Sequence, residues 1–147
     1  MKKIIAVLII LGVLLSACTQ SPSGRETEGN LTIGDGSNQK VYTVEDLKAF
    51  PASKADFNDV SYVGVPVSTL LLDAGIDAAN LKAIKAVAID GYSVNYESEL
   101  CLREDVLVAY AQIDGELGED DGIFRMVVPG EEGKMNIRGL VEIMAVP

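Results

Sequence analysis

The chain alternates between short apolar runs and polar turns, a pattern that favours strands over long helices. Continuous apolar runs of the buried-strand type occur at Ala86–Ile89 and Val106–Tyr110. Asp90-Gly91 and Asp114-Gly115 are turn signals, and the stretch 52–59 is polar and weakly patterned. Shorter or alternating segments predict the other strands, at 31–33, 41–42, 60–63, 92–96, 124–128, 135–137 and 139–146.

Short helices are predicted by their end signals. Thr43 is suited to cap a helix that Pro51 stops, and acidic residues occupy its first turn. Pro66 suits the first position of a second helix, and Gly75 suits its left-handed C-terminal cap. The polar stretch 97–104 has room for one more helical turn. The chain is therefore predicted to be α+β, a mixed β-sheet domain with two or three short helices.

The N-terminus has the layout of an export signal. Lys2-Lys3 precedes the apolar run Ile4–Leu15, whose 12 residues would span only ~18 Å as a helix, against ~30 Å for a bilayer core. The sequence Leu-Ser-Ala-Cys follows at 15–18 and resembles a lipobox. That resemblance implies cleavage before Cys18 and a lipid on its sulfur; an ordinary secretory signal with a nearby cysteine is the alternative.

This interpretation divides the chain into a signal peptide at 1–17, a flexible tether at 18–30 and one domain at 31–147. The tether is rich in Ser, Gly, Glu and Thr, as flexible linkers are. We expect the protein at the cell membrane, held by lipid on Cys18 on the extracytoplasmic face.

Charge and residue content exclude several classes of function. Of twelve Lys and Arg residues, two leave with the signal, so ten remain against 22 acidic residues, a net charge of −12. Such a surface repels nucleic acid, which is not expected as a partner. The chain has no histidine, which excludes His-based triads and His-ligated haem or zinc. Once Cys18 carries lipid, Cys101 has no partner for an internal disulfide.

Five sequence blocks occur in a familiar order, at Tyr42–Pro51, Gly64–Gly75, Asp90–Ser93, Glu104–Glu116 and Arg125–Gly130. Together they resemble the oxidoreductase molybdopterin-binding domain of the sulfite oxidase family, over nearly the whole of 31–146. The resemblance implies that fold. It also implies that the full enzymes hold a molybdenum cofactor through the pterin dithiolene and one protein cysteine, with basic side chains and backbone N–H groups on the pterin phosphate.

The chain departs from this family pattern at the metal. The family's ligating cysteine lies between the first helix and the Gly-Val-Pro block, but the stretch 52–63 is short and has no cysteine. Cys101 lies after the Asp-Gly-Tyr turn and cannot inherit that role. In the closing block, the family pattern has a phosphate-contacting arginine at the position that is Met135 in this chain. Positions that are usually lysine and tryptophan in the family are Arg138 and Gly139 here.

Two functions follow from the resemblance and its departures. One is a non-catalytic module with no cofactor expected. It would bind a small anionic ligand or a protein partner in the cleft that holds the cofactor in the family's enzymes. The alternative is a molybdopterin-dependent oxidoreductase or a subunit of one, for which the resemblance implies the molybdenum cofactor. Fold alone does not choose between them, and the missing cysteine favours the binding module.

The residues predicted to bind a ligand all belong to the closing block, which borders the pterin in the family. Backbone N–H groups around Gly130 are suited to face an anion, and Lys134 and Arg138 supply positive charge in an acidic chain. Arg125 and Asn136 complete the predicted site. The alternative is that these cations only pair with the surplus of carboxylates.

Three further features each have a functional and a structural interpretation. Cys101, with Arg103 nearby, is either a reactive thiol or a buried small apolar residue. The acidic loop Glu116–Gly122 either binds a cation or is a solvated turn. Tyr92 and Tyr96 either line a pocket or pack in the core, and for each feature we favour the structural interpretation.

Overall fold

A computed structural model describes residues 29–147. The predicted signal peptide and most of the tether lie outside the described residues. The strands are β1 Leu31–Gly34, β2 Gln39–Tyr42, β3 Ser53–Phe57, β4 Val60–Pro66, β5 Ala83–Ala88, β6 Ser93–Glu97, β7 Leu107–Gln112, β8 Gly115–Glu116, β9 Arg125–Val127 and β10 Leu140–Val146. The helices are α1 Val44–Lys48, α2 Val67–Asp73 and α3 Ser98–Cys101, with 3-10 turns at Ala78–Asn80, Glu119–Asp121 and Gly133–Met135.

The strands form two five-stranded sheets. The first sheet has the order β2-β1-β10-β5-β6, in which β1 runs parallel to β10 and the other neighbours are antiparallel. The second sheet has the order β3-β4-β7-β8, and β9 pairs with β7; all its pairings are antiparallel. One mixed and one antiparallel sheet, joined by short helices, confirm the predicted α+β class.

Both predicted helix starts are confirmed. At α1, the Thr43 hydroxyl accepts from the Asp46 backbone N–H, and the Asp46 carboxylate accepts from the Thr43 N–H, which is a complete capping box. Helix α2 follows Pro66, and Gly75 beyond its end has φ +79°, the left-handed conformation that glycine adopts without strain.

The main core contains apolar residues of both sheets. Leu31, Ile84 and Ile143 of the first sheet and Val65 and Val108 of the second are completely buried in it. The opposite face of the second sheet has a smaller cluster, made of Ala55, Tyr62, Leu107, Ala109 and Val127. The second sheet is therefore covered on both faces. Within residues 29–147, no helix is long and apolar enough to cross a bilayer.

Three expectations about strands need correction. The stretch 52–59, predicted as irregular, contains strand β3, because its pairing with β4 overrides its weak pattern. Strand β4 does not end at Gly64: a Cβ there would lie 2.2 Å from the Val108 carbonyl oxygen, so glycine permits the close approach of β7. Residues 135–137 form no strand, since Met135 ends a 3-10 turn.

Candidate functional site

Arg125 lies at the centre of the candidate site because strand alternation turns it away from the main core. In β9, Met126 packs in the main core, while Arg125 and Val127 point to the opposite face of the second sheet. The Arg125 side chain is only 4% exposed. Its Nη1 donates to Asp121 Oδ1 at 2.6 Å and to the Tyr62 hydroxyl at 2.7 Å. A buried guanidinium is thus neutralised by a buried carboxylate.

The Arg125 guanidinium also lies close to two aromatic rings. Its central carbon lies 4.5 Å from the centroid of the Tyr62 ring and 5.6 Å from that of Phe57. Its Nε is buried and has no hydrogen-bond partner among residues 29–147. These contacts hold the guanidinium in one place and leave one donor unmatched.

Two glycines bring Arg138 beside this ion pair. Gly122 has φ +74°, and a Cβ there would lie 2.7 Å from the Gly139 Cα, so only glycine lets the two segments touch. The Gly139 N–H donates to the Asp121 carbonyl at 2.7 Å. As a result, Arg138 Nε lies 3.9 Å from Asp121 Oδ1, while its side chain remains 62% exposed.

These residues surround an open depression of about 480 Å³, which we call the Arg125 depression. Its walls come from the β3–β4 hairpin, the acidic loop and the closing block. The lining residues are Phe57, Asn58, Tyr62, Gly118, Glu119, Asp120, Asp121, Arg125 and Arg138.

The structure does not bring all five predicted binding residues to one concave site. Arg125 and Arg138 line the depression, and the other three are not among its lining residues. Asn136 is buried, and its side chain accepts from the Val128 N–H at 2.7 Å and donates to backbone carbonyls of the turn. Lys134 is exposed and pairs with the Glu132 carboxylate at 2.8 Å. Gly130 forms an exposed turn with φ +85°.

The two tyrosines and the cysteine have structural roles. Tyr96 is buried, and its hydroxyl donates to the Met135 carbonyl at 2.7 Å; Tyr92 precedes β6 and its hydroxyl donates to the Lys134 carbonyl. Both hydroxyls thus hold the 3-10 turn of the closing block. Burial raises the pKa of the Cys101 thiol to about 11, so the thiolate that reacts with electrophiles or metals is disfavoured.

The acidic residues of the loop Glu116–Gly122 lie in two different environments. Asp121 is turned inward to Arg125, whereas Glu119 and Asp120 remain exposed at the rim of the depression. Among residues 29–147, no three Cys, Asp or Glu side chains come together as a metal site. The interpretation of this loop as a solvated turn therefore holds for its exposed residues only.

Several residues of the site were not found from the sequence. Tyr62 and Phe57 lie on strands that face the smaller cluster, and Asn58 lies at the tip of their hairpin. The one local signal is the spacing of Asp121 and Arg125, an acid and a base four residues apart. Tyr62 is 63 residues away from Arg125, and such a contact depends on strand pairing that no local pattern reveals.

The residues present do not fit a molybdenum centre. The resemblance places the family's ligating cysteine within the stretch 52–63, which here forms the β3–β4 hairpin. The two residues at its tip, Asn58 and Asp59, are in the left-handed region with φ 49° and 61°. Asn58 lines the same depression as Arg138, so the hairpin tip borders this depression but supplies no thiolate to it. Cys101, the cysteine within the described residues, is completely buried.

Comparison with known proteins identifies the family. The model of the oxidoreductase molybdopterin binding domain matches residues 35–147, and the chain belongs to this family. Among solved structures, the sulfane dehydrogenase SoxCD from Paracoccus pantotrophus is similar with a TM-score of 0.69 and 24% sequence identity. The match covers 79% of this chain but only 37% of the SoxCD chain, so it spans little more than a third of that protein's length. A comparison with curated proteins gives no match.

Proposed function

We propose that this protein is a non-catalytic binding module that has kept the molybdopterin-binding fold and lost the metal site. The observation that carries the proposal is the β3–β4 hairpin. Its two-residue tip, Asn58-Asp59, lies within the stretch 52–63, where the resemblance places the family's ligating cysteine, and this stretch has no cysteine. Without a thiolate, a molybdenum ion has no protein ligand in the cleft.

The charges around the depression support the same proposal. Arg125 is matched by the buried Asp121 carboxylate and is not free for a pterin phosphate, and Lys134, which pairs with Glu132 at the surface, does not line the depression. Met135 stands in the place of a phosphate-contacting arginine and its carbonyl is bound by Tyr96. Arg138 is the member of the predicted phosphate grip that lines the depression and stays largely exposed.

The alternative, a molybdopterin-dependent oxidoreductase or a subunit of one, is favoured by the family membership and by Arg138 at a usual lysine place. Ligand-linked stability separates the two functions. A tightly held cofactor stabilises the folded state and raises the melting temperature. We expect the same melting temperature for protein made in a host that synthesises the cofactor and in a matched host that does not. A higher melting temperature from the first host alone would favour the enzyme.

We also propose that the module is held by lipid on Cys18 on the extracytoplasmic face of a membrane. The sequence layout at 2–18 supports this. Between Cys18 and Gly29 the tether has a reach of about 35–40 Å when extended, at ~3.3–3.6 Å per residue. That length lets an acidic domain stand clear of anionic headgroups. Mass spectrometry of membrane-extracted protein should find an acylated N-terminal Cys18, and a soluble chain that begins elsewhere would contradict the proposal.

A further inference from the structure

We propose that the Arg125 depression binds a small zwitterion, with an acidic group at its arginine side and an amine at its acidic rim. This inference rests on the proposed binding function and names the chemical class of the ligand. It differs from the family's ligand, which is an anion.

The arginine side of the depression offers one guanidinium that the protein pairs only loosely. That group is not Arg125, which is 3% exposed, is bound to Asp121 and Tyr62, and has its Nε shielded from solvent. The contact with a ligand oxygen falls to Arg138 instead. Arg138 lines the same depression, and its one ionic contact within residues 29–147 is the 3.9 Å approach to Asp121. A carboxylate can therefore be held by a guanidinium that the protein itself leaves incompletely paired.

The acidic rim of the depression favours a positively charged group on the ligand. Glu119 and Asp120 line the depression and are exposed, and neither forms an ion pair or a side-chain hydrogen bond within the described part of the chain. With Arg125 and Asp121 cancelling, the remaining lining charges are Arg138 against these two carboxylates, a net of −1. A purely anionic ligand is repelled by this rim, whereas an amine on the same ligand is attracted.

The room available fits a small molecule. The depression holds about 480 Å³, and its lining residues include Phe57 and Tyr62, whose rings lie against Arg125. Aromatic residues beside charged groups suit an apolar linker of a few methylenes. Amino acids whose amine and carboxylate are separated by such a linker have the required chemistry.

The test uses ω-amino acids of increasing length: glycine, β-alanine, γ-aminobutyrate and ε-aminocaproate. Each is titrated into the folded protein at low salt and followed by NMR amide shifts, beside a matched acid (butyrate) and a matched amine (butylamine). We expect one amino acid to bind about tenfold or more tightly than either single-charge analogue, as expected when a second charged contact is added. The shifts should centre on the depression. Equal affinity for acid and amino acid, or no shift with any probe, would overturn the inference.

Variants assign the two ends of the ligand. Glu119→Gln with Asp120→Asn should weaken the amino acid about tenfold and leave butyrate unchanged or tighter, and Arg138→Gln should weaken both. Lys85→Gln and Glu97→Gln, which change exposed charges of the first sheet, are the controls. Loss of amino-acid binding in these controls as well would mean a nonspecific charge effect and would refute the site. A failure here leaves the metal-free proposal intact, because metal content is measured separately.

Discussion

The buried pair of Asp121 and Arg125 gives the sharpest stability prediction. Asp121→Asn keeps the shape of the side chain but leaves the Arg125 charge without its partner, in a place where the two side chains are only 10% and 4% exposed. Removal of one member of a buried pair costs about 3–5 kcal/mol in general. Since asparagine can still accept from Nη1, we expect the lower end, about 3 kcal/mol in the free energy of unfolding.

Urea denaturation of the mature domain measures this cost directly. At roughly 3–4 °C per kcal/mol for a domain of this size, the melting temperature should fall by about 10 °C. The exposed pair of Lys134 and Glu132 supplies the control, and Glu132→Gln should change stability by less than about 0.5 kcal/mol. Arg125→Met together with Asp121→Asn should cost at least about 1 kcal/mol less than the sum of the single changes. A cost for Asp121→Asn no larger than that of the control would refute the role given to this pair.

Three further predictions concern single residues. Gly64→Ala should destabilise the fold by about 2 kcal/mol in urea denaturation, because its Cβ would meet the Val108 carbonyl oxygen; an unchanged midpoint would contradict the close approach. The pKa of Cys101 is raised to about 11 by burial, so the unfolded thiol loses its proton first. The stability difference between wild type and Cys101→Ala should therefore be constant below pH ~9 and shift against wild type from there toward pH 11, and a flat difference would contradict the burial. Cys18→Ala should leave an unprocessed precursor on an immunoblot, and normal processing would exclude the lipobox.

The parts of the fold that were predicted correctly are those with local causes. The capping box at Thr43 and the Pro66 and Gly75 signals are contained within a few residues, and so the ends of α1 and α2 could be read from the chain. The buried run in β7 also carries its own signal, since a strand covered on both faces is continuously apolar. The run 86–89 located β5 as well, although β5 buries only one face and Ile89 beyond its end is exposed.

The parts that were missed depend on distant partners. Strand β3 has a weak hydrophobic pattern because, at the edge of the sheet, only its Ala55 is buried. Its strand conformation is stabilised by pairing with β4. The composition of the site was missed for the same reason: the closing block predicted Arg125 and Arg138, but Tyr62 and Asn58 reach them only through the second sheet. Lys134 and Asn136 were predicted because they belong to the closing block, which borders the pterin in the family, but their contacts lie within the closing loop itself.

The most direct test of the central claim is the molybdenum content of the purified protein. The mature chain is produced in a host that synthesises the cofactor, with protein from a cofactor-deficient host and a Cys101→Ser variant measured alongside by elemental analysis. Because the stretch 52–63, which forms the β3–β4 hairpin, has no cysteine and Cys101 is buried, the account predicts only the background molybdenum of the deficient host in every sample. Stoichiometric molybdenum in the wild type would contradict it and make the protein an enzyme or a subunit of one.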